Sequence, residues 1–71
     1  MPIVTINMVA GRDRAMVQDC LREVAKTVSR TLDAPLSSVR VLVNEVDPDL
    51  WTVGTTLKSE EHRSTPTPGS P

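Results

Sequence analysis

Residues 14–46 read RAMVQDCLREVAKTVSRTLDAPLSSVRVLVNEV, and a change of rhythm inside this stretch decides the fold. In its first half, Val17, Leu21, Val24, Val28 and Leu32 recur at spacings of 4, 3, 4 and 4. That is the period of one helical face. Met16, Cys20 and Ala25 widen the stripe, while Asp19, Arg22, Lys26 and Arg30 lie on or near the opposite, wet side. Asp13 stands where a helix N-cap is expected. The residue before Pro35 is pushed out of the α region, so the helix is expected to run from Arg14 to about Leu32 and end by Asp33-Ala34-Pro35. In the second half the period falls to two. Val39, Val41 and Val43 share one face of an expected strand over residues 39–46, and Arg40, Leu42 and Asn44 share the other.

Upstream, residues 3–9, IVTINMV, are rich in β-branched residues and read as another strand. Val4, Ile6 and Met8 fall on one face with Pro2; Ile3, Thr5, Asn7 and Val9 fall on the other. Strand, helix, strand is a β-α-β unit, in which the strands are parallel and the crossover is right-handed. The fold class is therefore α/β (α+β in some schemes). Downstream, Asp47-Pro48-Asp49 marks a turn. Leu50 to Gly54 suggests a short strand or hairpin. From Lys58 the sequence becomes KSEEHRSTPTPGSP, with no large apolar residue. Residues 1–57 are expected to form the domain and residues 58–71 a disordered tail, which includes His62 and Arg63.

The chain has 71 residues, no Phe, no Tyr and one Trp, so its core must be aliphatic. A domain of this size is marginal alone and usually adds disulfides, a metal or oligomerisation. One cysteine excludes an internal disulfide, and one cysteine with one histidine excludes a Cys/His zinc cage. Cys20, near the apolar stripe, reads as a small buried hydrophobe. Self-association is the remaining device. The helix covers one face of the sheet, and parallel sheets are normally covered on both, so the second cover must come from other subunits. A net charge of −1 with both signs scattered gives no case for nucleic acid or an anionic membrane. No apolar run approaches the length of a membrane span, and the N-terminus lacks the pattern of a signal peptide. A cytoplasmic protein is expected.

Few residues are equipped for chemistry. There is no Ser-His-Asp set, and the glycines at 11, 54 and 69 make no phosphate loop. What remains is Pro2, Arg12, Arg40 and Trp51. Pro2 directly precedes a strand, a position that suits a residue with no N–H to give a ladder. That reading is complete without any chemistry. If Met1 is removed, however, the ring nitrogen of Pro2 becomes a free secondary amine.

Taken together, Pro2 and its strand, Gly11-Arg12, the REV of Arg22 to Val24 and above all LDAPLSSVRV from Leu32 to Val41 resemble the 4-oxalocrotonate tautomerase family, the short members of the tautomerase superfamily. The resemblance runs from Pro2 to about Leu57. It implies a hexamer, a trimer of dimers, with active sites built across subunits and no cofactor. It implies that Pro2, freed of Met1, is a general acid–base moving a proton in 2-hydroxymuconate or a similar 2-hydroxydienoate or 2-oxo acid. A model α-amino group titrates near 8, and apolar burial and neighbouring arginines lower that value toward neutrality. A base poised there suits proton shuttling. The resemblance assigns the substrate carboxylate to Arg12, which can clamp it bidentately. It assigns the developing dienolate charge to Arg40 of a neighbouring subunit. Trp51 falls where the family carries an aromatic, and Val9 and Val53 are expected to help line the pocket.

Simpler readings stand beside these. Arg12 serves equally as a solvated loop charge, Arg40 as part of a wet strand face, and Trp51 as a packing residue. A dehalogenase or hydratase of the same superfamily would add a carboxylate to activate water, but Val9 and Val53 stand where it would be sought. A non-catalytic subunit of a hetero-oligomer need keep neither Pro2 nor Arg12. The segment after Trp51, Thr52-Val53-Gly54-Thr55-Thr56, has one glycine where the family often has several, which leaves the substrate open.

Overall fold

The computed structural model describes residues 1–64. Strand β1 (Ile3–Val9) leads to helix α1 (Arg14–Leu32), a 3₁₀ turn (Leu36–Ser38) and strand β2 (Arg40–Val46). A second 3₁₀ turn (Pro48–Leu50), strands β3 (Thr52–Val53) and β4 (Thr56–Leu57) and helix α2 (Lys58–Ser64) follow. β1 and β2 are parallel, in a register that pairs Ile3 with Arg40, Thr5 with Leu42, Asn7 with Asn44 and Val9 with Val46. β3 and β4 make a separate antiparallel hairpin. The β-α-β unit with parallel strands and the hairpin agree with the sequence reading, β2 beginning at Arg40 rather than at Val39. Among the described residues no helix is long and apolar enough to cross a membrane.

α1 begins where the Asp13 carboxylate accepts from the Met16 N–H at 3.3 Å. Its solvent side carries the pairs Arg22–Asp19 and Lys26–Glu23 at 2.7 and 3.0 Å. Such exposed pairs add only a few tenths of a kcal/mol each, about 0.2–0.5. The helix stops at Asp33, whose φ of 55° is left-handed and whose N–H bonds the Ser29 carbonyl. Aspartate tolerates this conformation better than most residues. The Ala34 N–H also bonds the Ser29 carbonyl, and the Ser29 hydroxyl donates to the Ala34 carbonyl at 2.6 Å. Pro35 then keeps the chain from re-entering the helix.

α1 covers the face of the sheet that carries Val4, Ile6, Met8, Val41 and Val43, all half-buried. Even so, among the described residues only Val17 and Val39 are buried, at 8% and 9% exposure, and no side chain is fully enclosed. On the opposite face Ile3 and Leu42 remain 63% and 52% exposed. Met16, Leu32, Leu36 and Leu50 are exposed as well. Burying such a side chain contributes about 1.5–3 kcal/mol, and the single chain forfeits most of that here.

Two expectations need correction. Cys20 is exposed, because α1 turns this part of its stripe toward a flank left open by the other described elements. Lys58–Ser64 form a helix where the composition suggested the start of a disordered tail. Local bonds explain it: the Leu57 N–H donates to the Glu60 carboxylate at 2.9 Å, and Lys58 pairs with Glu61 at 3.1 Å. The Lys58 N–H also reaches the Trp51 carbonyl at 2.9 Å, tying the helix start to the base of the hairpin. His62 and Arg63 thus fall within α2, and the remainder of the expected tail, residues 65–71, lies outside the described residues.

The hairpin turns at Gly54, whose φ is 64°, with open space where a Cβ would stand. Gly54→Ala should therefore lose stability through backbone strain alone, about 1 kcal/mol. The expected result is a thermal midpoint several degrees lower with an unchanged far-UV spectrum. An unchanged midpoint would mean that the left-handed turn is absent in solution.

Candidate active site

The N-terminal end of the sheet holds Pro2 and Arg40. The Arg40 N–H donates to the Pro2 carbonyl at 3.0 Å, which extends the parallel ladder one residue before β1. Proline's nitrogen has no donor to contribute, so its carbonyl alone anchors it. Pro2 is half-buried and continues the row of Val4, Ile6 and Met8 that faces α1. Arg40 belongs to the opposite row. Its side chain is exposed, and Nη1 donates to the Ser37 carbonyl of the preceding 3₁₀ turn at 2.9 Å. The two residues share a backbone bond, while alternation along the strands sends their side chains to opposite faces.

Arg12 lies at the other end. Gly11, at φ 130°, lets the chain leave β1 and turn back toward α1. Arg12 then borders a cleft of about 320 Å³ between sheet and helix, lined by Ile6, Met8, Met16, Val17, Cys20, Leu21 and Val43. One cation against an apolar wall suits an anion carried on an apolar body. Val9, half-buried, ends β1 nearby, and the Ala10 N–H closes this end on the Val46 carbonyl at 2.8 Å. Trp51 follows the 3₁₀ turn after β2 and is half-buried; Val53 is exposed on the hairpin. Among the described residues no three His, Cys, Asp or Glu side chains gather as metal ligands would.

One chain thus separates the residues that the sequence singles out. Pro2 and Arg40 sit at the start of the two strands, and Val9, Arg12, Trp51 and Val53 lie at or beyond their ends. Seven-residue strands rise about 3.3 Å per residue, which puts about 20 Å between their two ends. The Arg12 cleft and its apolar lining were not foreseen. Periodicity assigned Ile6, Met8, Leu21 and Val43 to inward faces, but it carries no sign that one flank of the helix stays open.

The family follows from comparison. A sequence profile described as Tautomerase enzyme matches residues 2–61, a span that includes nearly every described element. The chain belongs to the tautomerase family. This tautomerase-family enzyme is 40% identical over 63 residues to a 2-hydroxymuconate tautomerase of Pseudomonas putida, an alignment covering 89% of this chain and 100% of that protein. Its fold matches TomN, a 4-oxalocrotonate tautomerase homologue in the tomaymycin biosynthetic pathway, with a TM-score of 0.83 and 29% identity, over 93% of this chain and 100% of that one. It also matches a heterohexamer 4-oxalocrotonate tautomerase from Chloroflexus aurantiacus J-10-fl, with a TM-score of 0.80 and 32% identity over 84% of this chain and 97% of that one.

The separation of Pro2 from Arg12 yields a complementation test. At substrate concentrations well below KM, a chain blocked at the N-terminus should be nearly inactive and a chain carrying Arg12→Ala should keep about a tenth of wild-type activity. Unfolded together and refolded, they should recover roughly a quarter of wild-type activity, because half of the copies at each position supply the intact part. No recovery in mixed assemblies would place both residues in one chain's site.

Proposed function

We propose that this protein is a cofactor-free tautomerase of 2-hydroxymuconate-like substrates, acting in the cytoplasm as a hexamer whose sites join residues of different copies. The observation that carries the reading is the anchoring of Pro2. Its carbonyl is held by the Arg40 N–H, its ring lies half-buried in the apolar row, and its nitrogen has no part in the ladder. Removal of Met1, which is 80% exposed, would turn that nitrogen into an amine without disturbing the anchor. The P. putida relative's 2-hydroxymuconate tautomerase name supports the substrate class.

In this mechanism neutral Pro2 takes the proton from the 2-hydroxyl of the dienoate and returns it to carbon. The hydroxyl becomes a carbonyl, the conjugated bonds shift, and nothing is gained or lost overall. Negative charge grows on the 2-oxygen, where Arg40 of a neighbouring copy stabilises it. Arg12 holds a carboxylate that is charged throughout. Trp51, Val9 and Val53 form the apolar wall, which disfavours protonated proline and keeps the base available. Activity should therefore rise with pH through a single group titrating below an ordinary amine.

The two arginines should part kinetically. Arg40→Ala is expected to lower kcat about 100-fold, since its target charge appears only in the transition state. Arg12→Ala is expected mainly to raise KM, by about tenfold. Acetylating the N-terminal proline should remove nearly all activity while the assembly survives. A fully acetylated assembly that keeps its rate would show that another group carries the proton.

A further inference from the structure

The sheet face turned away from α1 carries four cross-strand pairs: Ile3 with Arg40, Thr5 with Leu42, Asn7 with Asn44, and Val9 with Val46. Arg40, at one end, is its single charged residue. In the middle the Asn44 Nδ2 donates to the Asn7 Oδ1 at 3.0 Å. Both asparagines are exposed in the single chain. This side chain bond spans 37 residues of sequence, and neither strand pattern nor helix packing requires it.

We infer that Asn7 and Asn44 are a specificity-determining pair inside a self-interface, where this sheet face is covered by the same face of a second copy. The inference rests on the assembly proposed above and names what fixes its register. The apolar neighbours Ile3 and Leu42, more than half exposed, say that the face needs a cover. The amides say which cover fits. One bond uses only part of what the two side chains offer, since each amide has two donor hydrogens and an oxygen with two lone pairs. An apolar partner would strip water from the remainder and leave it unpaired. A second copy presents another amide pair, with donors and acceptors in equal supply, across a symmetric contact. A polar pair within an apolar contact fixes register, because any shift sets amide against aliphatic side chain. The single buried asparagine of a coiled coil acts in the same way.

Sedimentation and native mass spectrometry on the purified full chain test this. Asn7→Leu and Asn44→Leu should each raise the concentration of half-dissociation at least tenfold, since each leaves one amide without its partner. The double variant should recover most of that loss, yet populate more than one stoichiometry. Asn7→Ser, which keeps a hydrogen-bonding group, should lose less than Asn7→Leu. Asn44→Asp should dissociate the assembly by placing like charges together. Single leucine variants that assemble at the wild-type concentration and stoichiometry would overturn the inference, as would serine and leucine behaving alike. A wild-type chain that stays monomeric would instead strike the assembly reading itself.

Discussion

A parallel two-stranded sheet has two faces, and this chain carries one long helix to cover them. The rest of the structure depends on that mismatch. α1 shields the row of Val4, Ile6, Val41 and Val43, yet among the described residues only Val17 and Val39 become buried. Hydrophobic stabilisation scales with apolar area removed from water, and ordering of the backbone costs about 1–2 kcal/mol per residue. Two buried side chains among the described residues give little to set against that cost. In the proposed assembly the missing core lies between copies, and Ile3, Leu42 and Met16, exposed in the single chain, belong to that shared interior.

The same geometry divides the chemistry. Parallel strands put Pro2 and Arg40 together at their starts and send Arg12, Val9 and Trp51 to their ends. The length of the seven-residue strands keeps their two ends about 20 Å apart. In the proposed assembly fold and function share one requirement, because the same contacts complete both the core and the site. This also explains how a protein with so few reactive side chains can be an enzyme. In the proposed mechanism it needs no elaborate constellation from each copy, only one amine and two guanidinium groups brought together by symmetry.

Much of this was legible in the sequence. The 4-3-4-4 spacing from Val17 to Leu32, with Asp13 as cap, points to α1, and the alternation of Val39, Val41 and Val43 points to β2 and its faces, with β2 beginning one residue later than the pattern suggests. Pro2 and Arg40 stood out by their positions, but not the backbone bond that joins them, which depends on strand register. Cys20 was misplaced because periodicity reports which side of a helix is apolar, not whether anything covers its flank. The α2 residues were read as tail because Lys58 to Ser64 lack large apolar groups. Their helix is held by local polar bonds, to which hydrophobic patterning is blind. The Asn7–Asn44 bond was equally invisible, since it exists only once two strands distant in sequence are aligned.

The claim that folding and assembly are one process is tested most directly by dilution. Far-UV circular dichroism and sedimentation should be followed together on the wild-type chain, from tens of micromolar downward. If the shared core is real, helical signal is lost in step with dissociation, and no folded monomer appears at any concentration. A monomer that keeps its full helical signal would contradict the account, because it would show that one helix and two buried valines suffice to hold this sheet.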